Sequence, residues 1–195
     1  MPYIKEPKRI SLPMRIMVWI SEKTVGKRLD VARLLTWYPK AAIGSGIMEM
    51  LVAHKSGRLT ERVLQLIRMQ VSFMASCPFC IDMNSHEFKK HDITDNEIEA
   101  LQGIMEYESV KSLTTLEILA LKYTKALTRT PITVSQELLD AVLNYFTEKE
   151  LVVIASTIGQ VNFWTRTIQG LGVQPAGFST ECSVLNIDAY KTVND

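Results

Sequence analysis

Apolar residues return every three or four positions through most of this chain, with polar residues between them, and that spacing predicts a succession of amphipathic helices. The clearest run follows Thr60, a capping residue, with Val63, Leu64, Ile67, Val71 and Met74 on one face. Capping boxes mark further helix starts: Thr94 with Glu97, Thr114 with Glu117 (a helix reaching about Leu127), Thr133 with Gln136, and Thr147 with Glu150. Upstream, Met14 to Leu35 follows a helical pattern broken near Gly26. Pro39 then punctuates the chain, and Ala41 to His54 is a third helical stretch, weakened by Gly44 and Gly46 and stopped at Gly57. Gly170 and Gly172 end the last helix. Long alternating β-branched runs are absent, so the fold class is all-α.

Three segments follow from this pattern. Residues 1–13, with Pro2, Pro7 and Pro13, read as an extended arm, 14–172 as the helical domain, and 173–195 as a weakly periodic tail suited to packing on a neighbouring subunit. A faint internal repeat also shows. Thr60-Glu61-Arg62 with Leu64 recurs 87 residues later as Thr147-Glu148-Lys149 with Leu151, an offset that sets Cys77 against Trp164 and Cys80 against Thr167.

One stretch carries chemistry. Cys77-Pro78-Phe79-Cys80 opens a run from Pro78 to His91 with no further Pro and no Gly, which predicts a helix with Pro78 at its first position and Cys77 at its N-cap. Backbone N–H groups and the positive end of the helix dipole then favour thiolate at both sulfurs. Thiols three residues apart at a helix start can also close a disulfide. Two other readings compete. Buried cysteines often serve as small hydrophobes, and Cys77, Cys80, His86 and His91 make a four-ligand zinc set. A zinc finger needs about twelve residues between its Cys and His pairs, whereas only five separate Cys80 from His86. The redox reading is favoured. Cys182, alone in the tail, reads as a bystander thiol.

Bulk properties narrow the setting. At 195 residues the chain suits one domain, and 47% hydrophobic with 22% charged residues matches a globular protein. A net charge of +1 gives no reason to invoke nucleic acid or an anionic membrane. The first residues lack the apolar core of a signal peptide, and the run Met14 to Ile20 is too short to span a bilayer. A cytoplasmic location follows, where a disulfide is transient and catalytic.

The run LTERVLQLIRMQVSFMASCPFCIDMNSHEF, then TDNEIEALQG, ALTRTPITVSQEL and Asn162-x-Trp164-x-Arg166, resembles the carboxymuconolactone decarboxylase and alkyl hydroperoxidase D-like (AhpD-like) family over roughly residues 40–170. The resemblance implies an all-α fold and a homo-oligomer, as trimer, dimer or hexamer. It also implies a thiol peroxidase or disulfide reductase that acts on a peroxide or small disulfide, is served by a thiol reductant protein, and uses no cofactor or metal. Under it, Cys80 is peroxidatic and Cys77 resolving. The family's proton relay, a glutamate twelve residues before the first cysteine and a histidine four after the second, falls on Gln65 and Asn84 here. Amides keep the hydrogen-bonding shape but take no proton near neutral pH.

The residues that could substitute as a base are Glu61, Glu87, His54, His86 and His91. A single continuous helix places His86 on the side of Asp82 and Lys89, in solvent, and His91 back on the cysteine face but about 16 Å along the axis. None stands in for the relay. Two alternatives therefore accompany the enzyme: a non-catalytic oligomeric protein that binds a ligand or senses redox state on the same scaffold, and a cysteine-independent decarboxylase.

Overall fold

The computed structural model describes residues 1–51, 55–86 and 88–179. Its helices are α1 (Leu12–Val25), α2 (Asp30–Leu35), α3 (Pro39–Leu51), α4 (Glu61–Met74), α5 (Pro78–Asn84), α6 (Asp95–Leu101), α7 (Thr115–Thr128), α8 (Gln136–Tyr145) and α9 (Glu148–Gly170). Short 3₁₀ turns lie at Phe88–His91 and Tyr107–Ser109. Among the described residues, β pairing is confined to an isolated bridge between Ser56 and Leu59, and the fold is all-α. No helix there is long and apolar enough to cross a membrane.

The arrangement centres on α4. Ten of its fourteen residues are buried, so both sides of the helix face protein. Leu66, Met69 and Phe73 enter one core with Ile81, Phe88, Ile98, Leu101 and Leu121. Val63, Leu64, Ile67 and Val71 enter another with Val142, Phe146, Ile154, Ile158 and Val161.

The capping boxes at Thr94–Glu97, Thr114–Glu117 and Thr147–Glu150 all form. Their three buried glutamates are also gathered by two arginines at the start of α4. Arg62 Nε lies 2.7 Å from Glu117, and its Nη2 donates to Glu97. Arg58 donates to Glu150 from its backbone N–H at 3.2 Å and from Nη2 at 2.7 Å. Gly57 leaves room for this, since a Cβ there would meet the Glu150 carboxylate at 3.2 Å on a backbone with φ +58°. The Arg58 hydrogen bond holds the Glu150 carboxyl at a pKa of about 2 against the opposing effect of burial.

Three expectations need correction. The cysteine helix ends at Asn84, not His91, with Ser85 as its C-cap. A straight helix would carry Phe88 about 10 Å beyond Ile81; breaking it lets both side chains reach the same core. The predicted box at Thr133 is replaced by Ser135, whose hydroxyl accepts from the Leu138 N–H at 3.2 Å, while Thr133 turns to the Pro131 carbonyl. The third helix starts at Pro39, two residues earlier than predicted. The break at Gly26 is present, with φ 71° at the C-cap of α1.

The repeat is visible at the helix starts, because Thr60 and Thr147 each accept the N–H three residues on. It stops at the cysteines. Where α4 ends and the chain turns into Cys77, α9 runs straight on through Trp164 for 23 residues in all.

Candidate active site

Cys77 ends one helix and begins the next. At the close of α4, Ser76 takes a left-handed backbone with φ 47°. The Ser76 N–H then reaches the Phe73 carbonyl at 3.0 Å and the Cys77 N–H reaches Ser72 at 3.3 Å. This double return is a Schellman close. Cys77 is at once the N-cap of α5, its sulfur accepting from the Cys80 N–H at 3.4 Å, with Pro78 in the first turn. The two cysteines, with Cα atoms 5.2 Å apart, are joined as a disulfide.

The pair is covered. Cys77 is 0% exposed and Cys80 3%. Leu29, Val31 and Leu34 from α2 and its approach, Ile168 and Trp164 from α9, and Val173 and Phe178 beyond it form the surrounding apolar cluster. Phe79 meets Phe178 edge to face at 6.4 Å. An open cavity of about 390 Å³ lies beside them, between Phe79, the Lys27–Arg28 pair and residues 173–176.

Packing of α4 on α5 brings Gln65 and Asn84 together. Gln65 Nε2 donates to the Asn84 backbone carbonyl, and Asn84 Nδ2 donates to Ser72 Oγ at 2.9 Å. Ser72 Oγ in turn donates to the Arg68 carbonyl at 2.8 Å. The chain of contacts is Gln65, Asn84, Ser72, and every side chain in it is neutral.

Other candidates are dispersed. His91 sits at the end of the 3₁₀ turn, and its carbonyl accepts from Arg62 at 3.4 Å, near the opposite end of α4 from Cys77. The separation of fifteen positions from Arg62 to Cys77 corresponds to about 20 Å. His86 is exposed, with its ring 5.9 Å from Phe178, whose backbone N–H is held by the buried Asp82. Glu61 pairs with Lys55 at 3.3 Å. His54, Glu87 and Cys182 lie outside the described residues. Among the described residues, no three His, Cys, Asp or Glu side chains are grouped to hold a metal ion.

Two features escaped the sequence reading. Asp82, two residues after Cys80, is 1% exposed. Its carboxylate oxygens accept from the Phe178 N–H at 3.0 Å and the Ser179 N–H at 2.7 Å, and its backbone carbonyl accepts from Ser179 Oγ at 2.7 Å. Its only sequence signal is an acidic residue inside an otherwise apolar turn. The second is Glu49 on α3, which accepts from Gln160 at 2.8 Å and from the Trp164 indole at 2.9 Å. Glu49 also opposes the effect of burial on Arg68, whose guanidinium is held below its ordinary pKa by desolvation.

No protein-family model matches the chain. It is 28% identical over 148 residues to the uncharacterized protein YdfG of Bacillus subtilis strain 168, covering 75% of this chain and 99% of that one. It is 23% identical to the uncharacterized protein YnjA of Escherichia coli K12, covering 87% and 91%. Among solved structures, an uncharacterized peroxidase-related protein of Ralstonia eutropha JMP134, described as an alkylhydroperoxidase AhpD core, superposes with TM-score 0.73 at 14% identity, over 89% of this chain and 92% of that one. A cysteine-to-alanine variant of the debrominase Bmp8 with bound 2,3,4-tribromopyrrole superposes with TM-score 0.74 at 18% identity over the whole of both chains. These likenesses establish an AhpD-like fold.

Proposed function

We propose that this chain, an AhpD-like fold carrying a Cys77–Cys80 pair, is a thiol–disulfide oxidoreductase that reduces a peroxide or a small disulfide. The observation that carries this reading is the joined pair at the start of α5, with a backbone N–H on the Cys77 sulfur. Cys80 thiolate attacks the outer peroxide oxygen, the O–O bond breaks, and an alcohol leaves with Cys80 as sulfenic acid. Cys77 displaces water from that sulfenic acid and closes the disulfide. A thiol reductant then returns two electrons and two protons. Gln65 and Asn84 are altered relay positions that hold shape without moving a proton, so reactivity rests on the thiolate itself.

The test is a peroxide-consumption assay with a dithiol reductant. Cys80→Ser is expected to abolish turnover, and Cys77→Ser to let sulfenic acid accumulate on Cys80. Turnover that survives Cys80→Ser overturns the assignment. A ligand-binding or sensing protein gives little turnover and no cysteine dependence.

The debrominase neighbour supports a second reading, with a brominated aromatic in place of the peroxide. The reduced pair then gives up two electrons, C–Br becomes C–H, bromide leaves, and the disulfide forms. Bromide release from a bromopyrrole in the same assay separates the two.

A further inference from the structure

The segment after α9 crosses back over the cysteine helix and is fastened there by contacts that have no part in the redox chemistry itself. Asp82 presents one carboxylate oxygen to each of two successive backbone N–H groups, Phe178 and Ser179, while Ser179 Oγ returns to the Asp82 carbonyl. Lys27 fastens the same segment from the other side. Its ammonium donates to the Ala176 carbonyl at 3.3 Å and to the Gly177 carbonyl, and lies 5.1 Å from the centre of the Phe178 ring. Phe178, buried, is thereby packed edge to face with Phe79, one of the two residues between the cysteines. Both cysteines are buried in the apolar cluster to which Val173 and Phe178 contribute.

We propose that residues 173–179 form a latch over the redox pair, and that the latch must lift from Asp82 before a thiol, a peroxide or any other substrate can reach Cys80. Disulfide exchange requires the attacking sulfur to approach along the S–S axis, and a pair sealed at this level admits no such approach. The fastening suits a part that opens. It combines the hydrogen bonds at Asp82 and Lys27 with the burial of Val173 and Phe178 in the cluster around the cysteines, and water can replace the hydrogen bonds when the segment lifts. Asp82 lies on the cysteine helix itself, so a chemical change at Cys80 and the hold on the latch share one short element.

This proposal rests on the redox reading of the pair, and its test is independent of peroxide turnover. Two variants act on different halves of the latch. Asp82→Asn turns one acceptor oxygen into a donor, so one of the two N–H groups loses its partner. Phe178→Ala removes the ring packed on Phe79 and leaves Asp82 intact. The rate of disulfide reduction by dithiothreitol is measured first: the reagent closes to its cyclic disulfide as two electrons and two protons pass to Cys77 and Cys80. Alkylation of the reduced protein by iodoacetamide is measured second, and the urea midpoint is followed throughout.

Both variants are expected to raise both rates at least about tenfold, read without denaturant where each is folded, while Phe178→Ala also lowers the urea midpoint because a buried ring is lost. If either variant fails to fold, Ser179→Ala, which removes a single side-chain hydrogen bond, takes its place. Rates equal to wild type in variants that are folded in the absence of denaturant overturn the latch. Faster exchange without peroxide turnover leaves the latch standing and removes the peroxidase reading. Turnover with unchanged exchange does the reverse.

Discussion

Ser76 holds a left-handed backbone conformation that an L side chain disfavours by about 1–2 kcal/mol and that glycine takes freely. Ser76→Gly is therefore expected to raise stability by about 1 kcal/mol, read as a higher urea midpoint; a lower midpoint would contradict the strain. The conformation is worth retaining because it delivers Cys77 to the N-cap of α5. Gln65 and Asn84 raise a different question at the same scale. Packing already sets residue 65 against residue 84, so the double change Gln65→Glu with Asn84→His should raise peroxide turnover by up to about 10²–10⁴-fold, the contribution of a positioned base. Either change alone should do little, because a carboxylate acts by orienting the imidazole. Cys77 and Cys80 could be picked out from spacing, and Gln65 and Asn84 through the family resemblance. Asp82 could not, since its partners are backbone groups some 96 residues away, and backbone carries no mark in a sequence.

Among the elements, helix starts were the most legible, because a cap is written in the residue that makes it. Thr60, Thr94, Thr114 and Thr147 all cap as their side chains dictate. Helix ends were less so. Nothing local stops α5 at Asn84; the pull of Phe88 into the core does. What local signals hid altogether is that the capping glutamates serve twice, holding their own helix starts and pairing with Arg58 and Arg62. Glu97 and Glu117 are 0% and 5% exposed, so Arg62→Ala would leave two buried carboxylates without their cation. A loss of about 3–5 kcal/mol is expected in urea unfolding; a loss below about 1 kcal/mol would show that water replaces the guanidinium. The same network fixes an acid limit. Burial would raise the Glu97 carboxyl, yet Arg62 and the Thr94 N–H hold it below its ordinary value, and Glu150 is held at about 2. A folded-state pKa below the unfolded one gives stability that is fully present above about 4.5 and lost as pH falls toward about 2. Stability should accordingly drop through that window, and Arg58→Gln should move the drop to higher pH.

For the whole molecule, the apolar pattern established an all-α domain but not which faces stay outside. Leu12, Ile16, Trp19 and Ile20 of α1 and Ile43, Ile47, Met50 and Leu51 of α3 are exposed, and the Met17 side chain of α1 reaches toward Gly46 of α3. A surface of this kind is expected to be covered by a second copy, and light scattering should report a homo-oligomer; a stable monomer at micromolar concentration would count against it. The arginine pair has its own consequence at this scale. Arg58 and Arg62 stand at the head of the central helix, but their carboxylates lie 35, 55 and 92 residues further along. During synthesis, α4 emerges with its anchors still unmade. Its ion pairs can form only as Glu97, then Glu117, then Glu150 leave the ribosome, so the order of translation becomes an order of tightening, and the head of the central helix stays open until α9 begins to appear.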